Sequence, residues 1–385
     1  DLDRIAKAMV VVVSPGVPPT APAVQRAREA RVEVIAEVDL AALALRSARW
    51  VGITGTNGKT PTTALTAALL AACGHRAEAV GNIGRPVSDV ALEDPPPDWL
   101  VVELSSFQLH DAPHLDLAVG VMTNLSPDHL DRYPSLEAYY RDKALLFRNA
   151  GPECRWITNG DDAEVQRLAD GVPGVHQRWS LFDPADAWYN RREREGLLML
   201  GQQPVVSRSE FALLGDHNVS NALAAMLVAA HAGATPAGLA EGLRRFAPLP
   251  HRLEPVREIR GVVWINDSKA TNLASTSVAV EALDRPFVLL LGGRHKGEPY
   301  TRLAPLLGHC RGVVAYGESR PIIEADLAGT VTVLGASSFD EVLDQASRLA
   351  SPGDAVLLSP ACSSFDMFAN YEERGSRFRA AVEAL

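Results

Sequence analysis

The stretch VGITGTNGKT, residues 51–60, constrains this chain more than any other. An apolar run enters a glycine-rich turn that closes on Gly58, Lys59 and Thr60, and a helical pattern, LTAALLAACG (residues 65–74), follows. That order is what a phosphate-binding loop requires. Glycines let the backbone approach an anion, and the first N–H groups of a helix point at it. A lysine adds a mobile charge, and a threonine hydroxyl can reach a divalent cation. The common spacing G-x-x-x-x-G-K-[ST] would place a glycine at Ile53, so the loop here is a shorter variant.

A loop of this kind sits at the end of a parallel sheet, and the rest of the sequence supplies one. The apolar segments RWVGITG (49–55), DWLVVEL (98–104) and LAVGVMTNL (117–125) read as strands, and residues 135–151 and 217–233 read as helices. MVVVVSPG (9–16) is a further short strand. After a proline-bearing stretch at residues 247–250 the pattern restarts with VVWIND, FVLLLGG, GVVAYG, VTVLG and AVLLSPA. Continuous apolar strands alternating with helices predict parallel sheets covered on both faces. Boundaries are expected near residues 40–48 and 247–250.

Lys and Arg number 37 against 47 Asp and Glu, a formal charge of −10. Such a chain is expected to bind neither nucleic acid nor an anionic membrane, so any phosphate must be held locally. No apolar run reaches 18 residues, and the N-terminal run Met9–Val13 is too short for a signal-peptide core. The four cysteines, Cys73, Cys154, Cys310 and Cys362, form no C-x-x-C pair and read as buried thiols of a reducing compartment. A cytoplasmic protein is expected. Glu103, closing a strand, is placed to hold Mg²⁺ as a Walker-B acid does. Asn218 and Asn221, taken alone, read as a helix cap and a surface residue.

Further blocks follow in order: GNIG (81–84), ELSSFQL (103–109), TNLSPDHLDRY (123–133), YYRDKALLF (139–147), GDHNVSNALAA (215–225), PHR (250–252), NDSKATN (266–272), LLGGRHKG (290–297) and LSPACSSFDMF (358–368). With the loop TGTNGKT, this series resembles the Mur ligase family, the ATP-dependent amide-forming ligases of peptidoglycan precursor synthesis, from roughly residue 10 to 385. The resemblance implies an α/β multidomain fold. Residues 1–45 would be a remnant Rossmann-like UDP-binding domain, 46–248 a central P-loop ATPase-type parallel-sheet domain, and 249–385 a Rossmann-like amino-acid-binding domain. NDSKATN and the blocks around it resemble the branch that joins D-glutamate to UDP-N-acetylmuramoyl-L-alanine through an acyl phosphate, releasing ADP and phosphate.

The resemblance also implies roles. Gly55, Thr56, Asn57, Gly58, Lys59 and Thr60 would hold the phosphates of ATP, with Asn218 and Asn221 at the adenine, Asp267 at the ribose and Arg252 at the γ-phosphate. Two Mg²⁺ ions, replaceable in part by Mn²⁺, would be held by Thr60, Glu103, His129 and Lys143. Lys143 would serve as a carbamate formed with CO₂, because an unmodified ammonium repels a cation. Lys59, Glu103, His129 and Lys143 form the implied catalytic set. Ser14, Gly16, Asn82, Ser105 and Gln108 would face the UDP-muramoyl substrate. Lys269, Thr271, Lys296, Ser364 and Tyr371 would hold D-glutamate, two cations and short donors for two carboxylates. A monomer acting on small molecules is expected, with domain closure bringing the parts together.

Three departures stand out. Pro61 follows the loop where the family usually has threonine, a change tolerated in a first helical turn. Tyr371 stands where phenylalanine is commoner. The family's UDP-binding domain is represented by residues 1–45 only, so either the sequence is truncated at its start or the chain has lost much of that site. A strand at 9–13 would then be an exposed edge. Two alternatives therefore stand beside the ligase: an enzyme of the family with a different donor, and a nucleotide-binding protein without ligase activity.

Overall fold

The structure is a computed structural model that describes residues 2–128, 132–193 and 195–385. The chain divides into two compact units, one of residues 1–211 and 218–246, the other of residues 212–217 and 247–385. No helix among the described residues is long and apolar enough to cross a membrane.

The first unit begins with two short parallel strands, β1 (Val10–Val13) and β2 (Glu33–Ala36), paired only with each other. β1 leaves Val10 and Val12 exposed, as an edge strand would, and Met9 before it is 96% exposed. The helix Glu37–Ala44 that follows β2 sends Val38 and Ala41 into the same buried cluster as Trp50, Leu100 and Val102. Residues 36–45 therefore share the core of the larger sheet rather than building one of their own.

That larger sheet has nine strands: β3 (Arg49–Thr54), β4 (Ala77–Gly81), β5 (Trp99–Glu103), β6 (Val119–Met122), β7 (Arg155–Asn159), β8 (Val175–Ser180), β9 (Ala187–Asn190), β10 (Leu197–Leu200) and β11 (Gln203–Ser207). Their spatial order is β11-β10-β9-β8-β7-β6-β3-β5-β4. All neighbours run parallel except at the β9–β10 and β10–β11 pairs, which are antiparallel. The chain leaves β3 for the edge strand β4, returns to β5 beside β3, and then crosses to β6 on the other flank. β3 is thus where the winding reverses. In open parallel sheets, ligands bind beyond the carboxyl ends of the strands at such a point.

The second unit carries β12 (Glu254–Ile259), β13 (Val262–Asn266), β14 (Phe287–Gly292), β15 (Cys310–Tyr316), β16 (Val333–Gly335) and β17 (Ala355–Leu358), in the order β12-β13-β17-β14-β15-β16. Only β12 runs antiparallel to its neighbour. Along β14, Leu289 and Leu291 enter one buried cluster while Val288 and Leu290 enter another. Ala355 and Leu357 of β17 divide from Val356 and Leu358 in the same way. Helices cover both faces, which is why these strands read as unbroken apolar runs. Each such side chain, fully buried, contributes about 2 kcal/mol of transfer free energy.

The helix after the phosphate loop spans Lys59–Ala72, beginning six residues before the apolar pattern that announced it. Its first turn is polar because it faces the loop. Thr62 and Thr63 donate back to the carbonyls of Gly58 and Lys59 at 2.8 and 2.9 Å. Pro61 lies in that first turn, where no helical N–H is needed.

Candidate active site

Three loops meet at the carboxyl ends of β5, β3 and β6, and the phosphate loop is the middle one. Gly55 has φ +145°, and a Cβ there would collide with the Thr123 hydroxyl. Gly58 has φ +78°, and a Cβ there would stand 2.5 Å from Asn221 Oδ1. Only glycine satisfies either position. The loop is braced from the β6 side. Thr56 N–H donates to the Asn124 carbonyl at 2.9 Å, Asn57 N–H to Asn124 Oδ1 at 2.9 Å, and Thr123 Oγ1 to the Asn57 carbonyl at 2.6 Å. These bonds fix the backbone of the loop against β6.

Two lysines converge on one atom of this loop. Lys59 Nζ donates to the Gly55 carbonyl at 2.9 Å and to that of Thr56 at 2.7 Å. Lys143 Nζ, carried by the helix Leu136–Ala144, donates to the same Gly55 oxygen at 2.6 Å. Lys143 is only 1% exposed. Burial first, and the Lys59 ammonium second, push its pKa well below the ordinary lysine value, against weaker opposition from Asp128 and Glu103. Tyr139, one turn earlier, presents its ring 4.8 Å from Lys143 Nζ. Ser135 caps the start of this helix, its side chain accepting Ala138 N–H.

Glu103 ends β5 opposite Ile53 of β3 and is 3% exposed. Its Oε1 accepts a bond from Asn82 Nδ2 at 3.0 Å, while its Oε2 is buried with no hydrogen-bond partner among the described residues. An orphaned buried carboxylate oxygen beside a phosphate loop fits a divalent cation. His129 lies outside the described residues, and no cluster of three or more His, Cys, Asp or Glu suited to a metal occurs among the described ones. Thr60 is half-buried at the second position of the Lys59–Ala72 helix.

Asn218 and Asn221 are both buried, at 8% and 6% exposure, so neither is a surface residue. Asn221 Nδ2 donates to Asn218 Oδ1 at 3.2 Å, and its Oδ1 accepts from Thr62 at 3.1 Å, which sets the pair against the start of the phosphate-loop helix.

A cavity of about 400 Å³ opens in the same unit, lined among others by Ser14, Phe107, Gln108, Arg132, Tyr133 and Asp142. Two segments far apart in sequence, Ser14 and Gln108, are thereby brought to one space. Gly16 is exposed. Ser105 and Gln108 also bond each other as a capping box for the helix Ser106–His110, with Gln108 Oε1 accepting Ser105 N–H at 2.9 Å and its hydroxyl at 2.8 Å. Asp142 accepts from Tyr133 at 3.0 Å and pairs with His110 Nδ1 at 3.1 Å, a bond that raises the His110 pKa.

The second unit gathers its candidates in the same manner. Asp267 follows β13 and is buried. Desolvation pushes its pKa up to about 7, although bonds from Ser359 Oγ at 2.8 Å and Leu253 N–H at 3.2 Å, and the charge of Arg252, work the other way. Arg252 is flanked by His251 at φ +63° and Leu253 at φ +43°, two non-glycine residues in the left-handed region. Such strain survives only where neighbours enforce it. Lys269 Nζ lies 3.9 Å from the Tyr371 ring centroid, a contact the aromatic ring favours whether or not it is phenolic. Thr271 is half-buried, Ser364 is buried, and Lys296 stands exposed after β14. These residues leave the carboxyl ends of β13, β17 and β14, or, for Tyr371, open the final helix Tyr371–Ala384.

Sequence reasoning missed the brace of Thr123 and Asn124, the contribution of Asp128 and Tyr139, and Arg374. The spacing Tyr139–Lys143 is one helical turn, a signal that was present. Nothing in YEERGSRF distinguishes Arg374 from its charged neighbours.

Residues 53–229 match the model of the Mur ligase middle domain, and residues 251–362 that of the Mur ligase glutamate ligase domain. A UDP-N-acetylmuramoylalanine–D-glutamate ligase of Myxococcus xanthus is 42% identical over 99% of this chain and 85% of its own length. The chain belongs to the Mur ligase family. A ligase of the same name from Salinibacter ruber is 42% identical over 98% of this chain and 85% of its own length. Among solved structures, a pseudomurein peptide ligase type C from Methanothermus fervidus superposes with a TM-score of 0.70 at 19% identity, over 100% of this chain and 88% of its own. The MurF ligase of Thermotoga maritima in complex with ADP gives 0.69 at 17% identity, over 98% and 97%. These solved ligases share the α/β fold of this chain.

Proposed function

We propose that this chain is an ATP-dependent ligase that adds D-glutamate to UDP-N-acetylmuramoyl-L-alanine in peptidoglycan precursor synthesis. The observation that carries the reading is the 42% identity with a D-glutamate ligase over 99% of the chain. The arrangement of Lys59, Glu103 and Lys143 around one phosphate loop supports it.

A carboxylate is a poor acyl donor because it is anionic and resonance-stabilised. In the first step a carboxylate oxygen of the donor attacks the γ-phosphorus of ATP, an O–P bond forms, and the bond to ADP breaks. Lys59 leaves its carbonyl partners to neutralise charge on the transferring group, and the helix N-terminus behind it receives the phosphates. In the second step the amine of D-glutamate attacks the acyl carbon, the C–O bond to phosphate breaks, and the amine loses a proton. Divalent cations, when bound, neutralise phosphate charge. Thr60, Glu103 and Lys143, with His129, are the residues that would hold them.

Lys143 fits that role only once its charge is reversed. Its depressed pKa favours the free amine, the form that attacks CO₂: an N–C bond forms, a proton leaves, and a carboxylate replaces the ammonium. The cavity lined by Ser14 and Gln108 suits the UDP-muramoyl donor, and Asn82, Ser105 and Gly16 would be further contacts of that substrate. Asn218 and Asn221 would meet the adenine, and Arg252 and Asp267 the γ-phosphate and the ribose. Lys269, Thr271, Lys296, Ser364 and Tyr371 would hold D-glutamate.

Phosphate release from ATP, with each substrate omitted in turn, tests the reading. Release that needs both the donor and D-glutamate, and that L-glutamate does not support, is the expected result. Release that ignores D-glutamate would sink it.

A further inference from the structure

We propose that Arg374 is a positioning residue for the incoming amino acid, fixing the segments that carry the D-glutamate contacts. The inference rests on the reading of the second unit as the amino-acid-binding half.

Arg374 is fully buried, one of the largest side chains with no exposed surface. Its guanidinium forms no ion pair among the described residues and instead donates to four oxygens of three separate segments. Nε donates to Ser268 Oγ at 2.9 Å and Nη2 to the Ser268 carbonyl at 2.8 Å. Both terminal nitrogens reach the Cys362 carbonyl at 3.2 Å, and Nη1 reaches that of Gly292 at 3.5 Å. Ser268 Oγ in turn donates to the Tyr371 carbonyl at 2.8 Å.

Each anchored segment carries a candidate for D-glutamate. Ser268 precedes Lys269 and Thr271. Cys362 stands two residues before Ser364. Gly292 closes β14 and opens the loop to Lys296, and Arg374 itself lies one helical turn after Tyr371. The segments are packed so closely that a Cβ at Gly293 would collide with the Ser363 carbonyl and come within 3.3 Å of Arg374 Nη1.

A buried cation with no carboxylate within ion-pair distance among the described residues is a poor stabilising device, because an apolar side chain of similar volume avoids its desolvation. What only arginine supplies is a planar fork of five donors with a charge that no accessible pH removes. Three carbonyls on three loops need that fork. A lysine offers one nitrogen and cannot span them.

The test is steady-state kinetics of the full chain carrying Arg374→Lys, with wild type in parallel. The KM for D-glutamate is measured at saturating ATP and donor, and the KM for ATP at saturating D-glutamate. The expected result is a rise of about tenfold in the KM for D-glutamate, since loops displaced by a fraction of an ångström lose their alignment. The KM for ATP should stay within about twofold. Ser268→Ala, which removes a single bond of the fork, should move the same constant in the same direction by less, and it carries the test if Arg374→Lys does not fold. A folded variant whose KM for D-glutamate is unchanged, or whose substrate constants all move together, overturns the proposal. Wild-type release that ignores D-glutamate overturns both it and the ligase reading.

Discussion

The phosphate-loop end of the first unit and the carboxyl end of the second unit's sheet are built alike and charged differently. Both set their candidate residues on loops beyond parallel strands, and both bury a basic side chain against backbone carbonyls. In the first unit that side chain is Lys143, sharing the Gly55 oxygen with Lys59. In the second it is Arg374, spread over the carbonyls of Ser268, Gly292 and Cys362. Burial makes a lysine easy to neutralise and leaves an arginine charged. The first unit therefore stores a group that chemistry can alter, whereas the second uses a charge that only holds.

The sharpest way to break this contrast is at Lys143. Lys143→Ala should lower kcat for phosphate release by about 10² to 10³, the scale for removing a preorganised electrostatic group. Carbon-13 NMR of wild type in labelled bicarbonate should show a carbamate resonance that the variant lacks. Full activity in the variant would leave Lys143 as packing.

Gly55→Ala should act next. It places a side chain against Thr123 at a φ that side chains rarely adopt, and a loss of about 2–4 kcal/mol is expected in chemical denaturation. Asn221→Ala should be milder, raising the KM for ATP about tenfold, the worth of one or two buried hydrogen bonds, while the KM for D-glutamate holds.

Asp267 sharpens the contrast from the acidic side. Its folded pKa, about 7, lies above the ordinary aspartate value of 3.8, so the folded state binds the extra proton between those limits. Stability from this group is fully present below the unfolded value and is lost as pH rises through about 7, at up to about 1.4 kcal/mol per unit. Thermal melts of Asp267→Asn from pH 4 to 7 should therefore fall less steeply than those of wild type. Parallel curves would place the proton elsewhere.

Much of this was legible in the residues. β3, β5, β6, β13, β14, β15 and β17 are largely buried on both faces and announce themselves as continuous apolar runs. β12, EPVREI, did not, because charged residues and a proline interrupt its apolar positions, and β8–β11 are short and partly exposed. The phosphate loop was legible because its glycines answer to local backbone geometry. Thr123, Asn124 and Arg374 were not, since their partners lie far away in sequence and only the folded sheet brings them together.

The most direct measurement follows an isotope. The donor UDP-N-acetylmuramoyl-L-alanine, labelled with oxygen-18 in its terminal carboxylate, is incubated with ATP and D-glutamate, and the phosphate and product are weighed by mass spectrometry. One labelled oxygen in the phosphate, with a product heavier by one glutamyl residue, is the predicted result. Unlabelled phosphate and unchanged donor would mean that this chain hydrolyses or merely binds ATP, and would contradict the account.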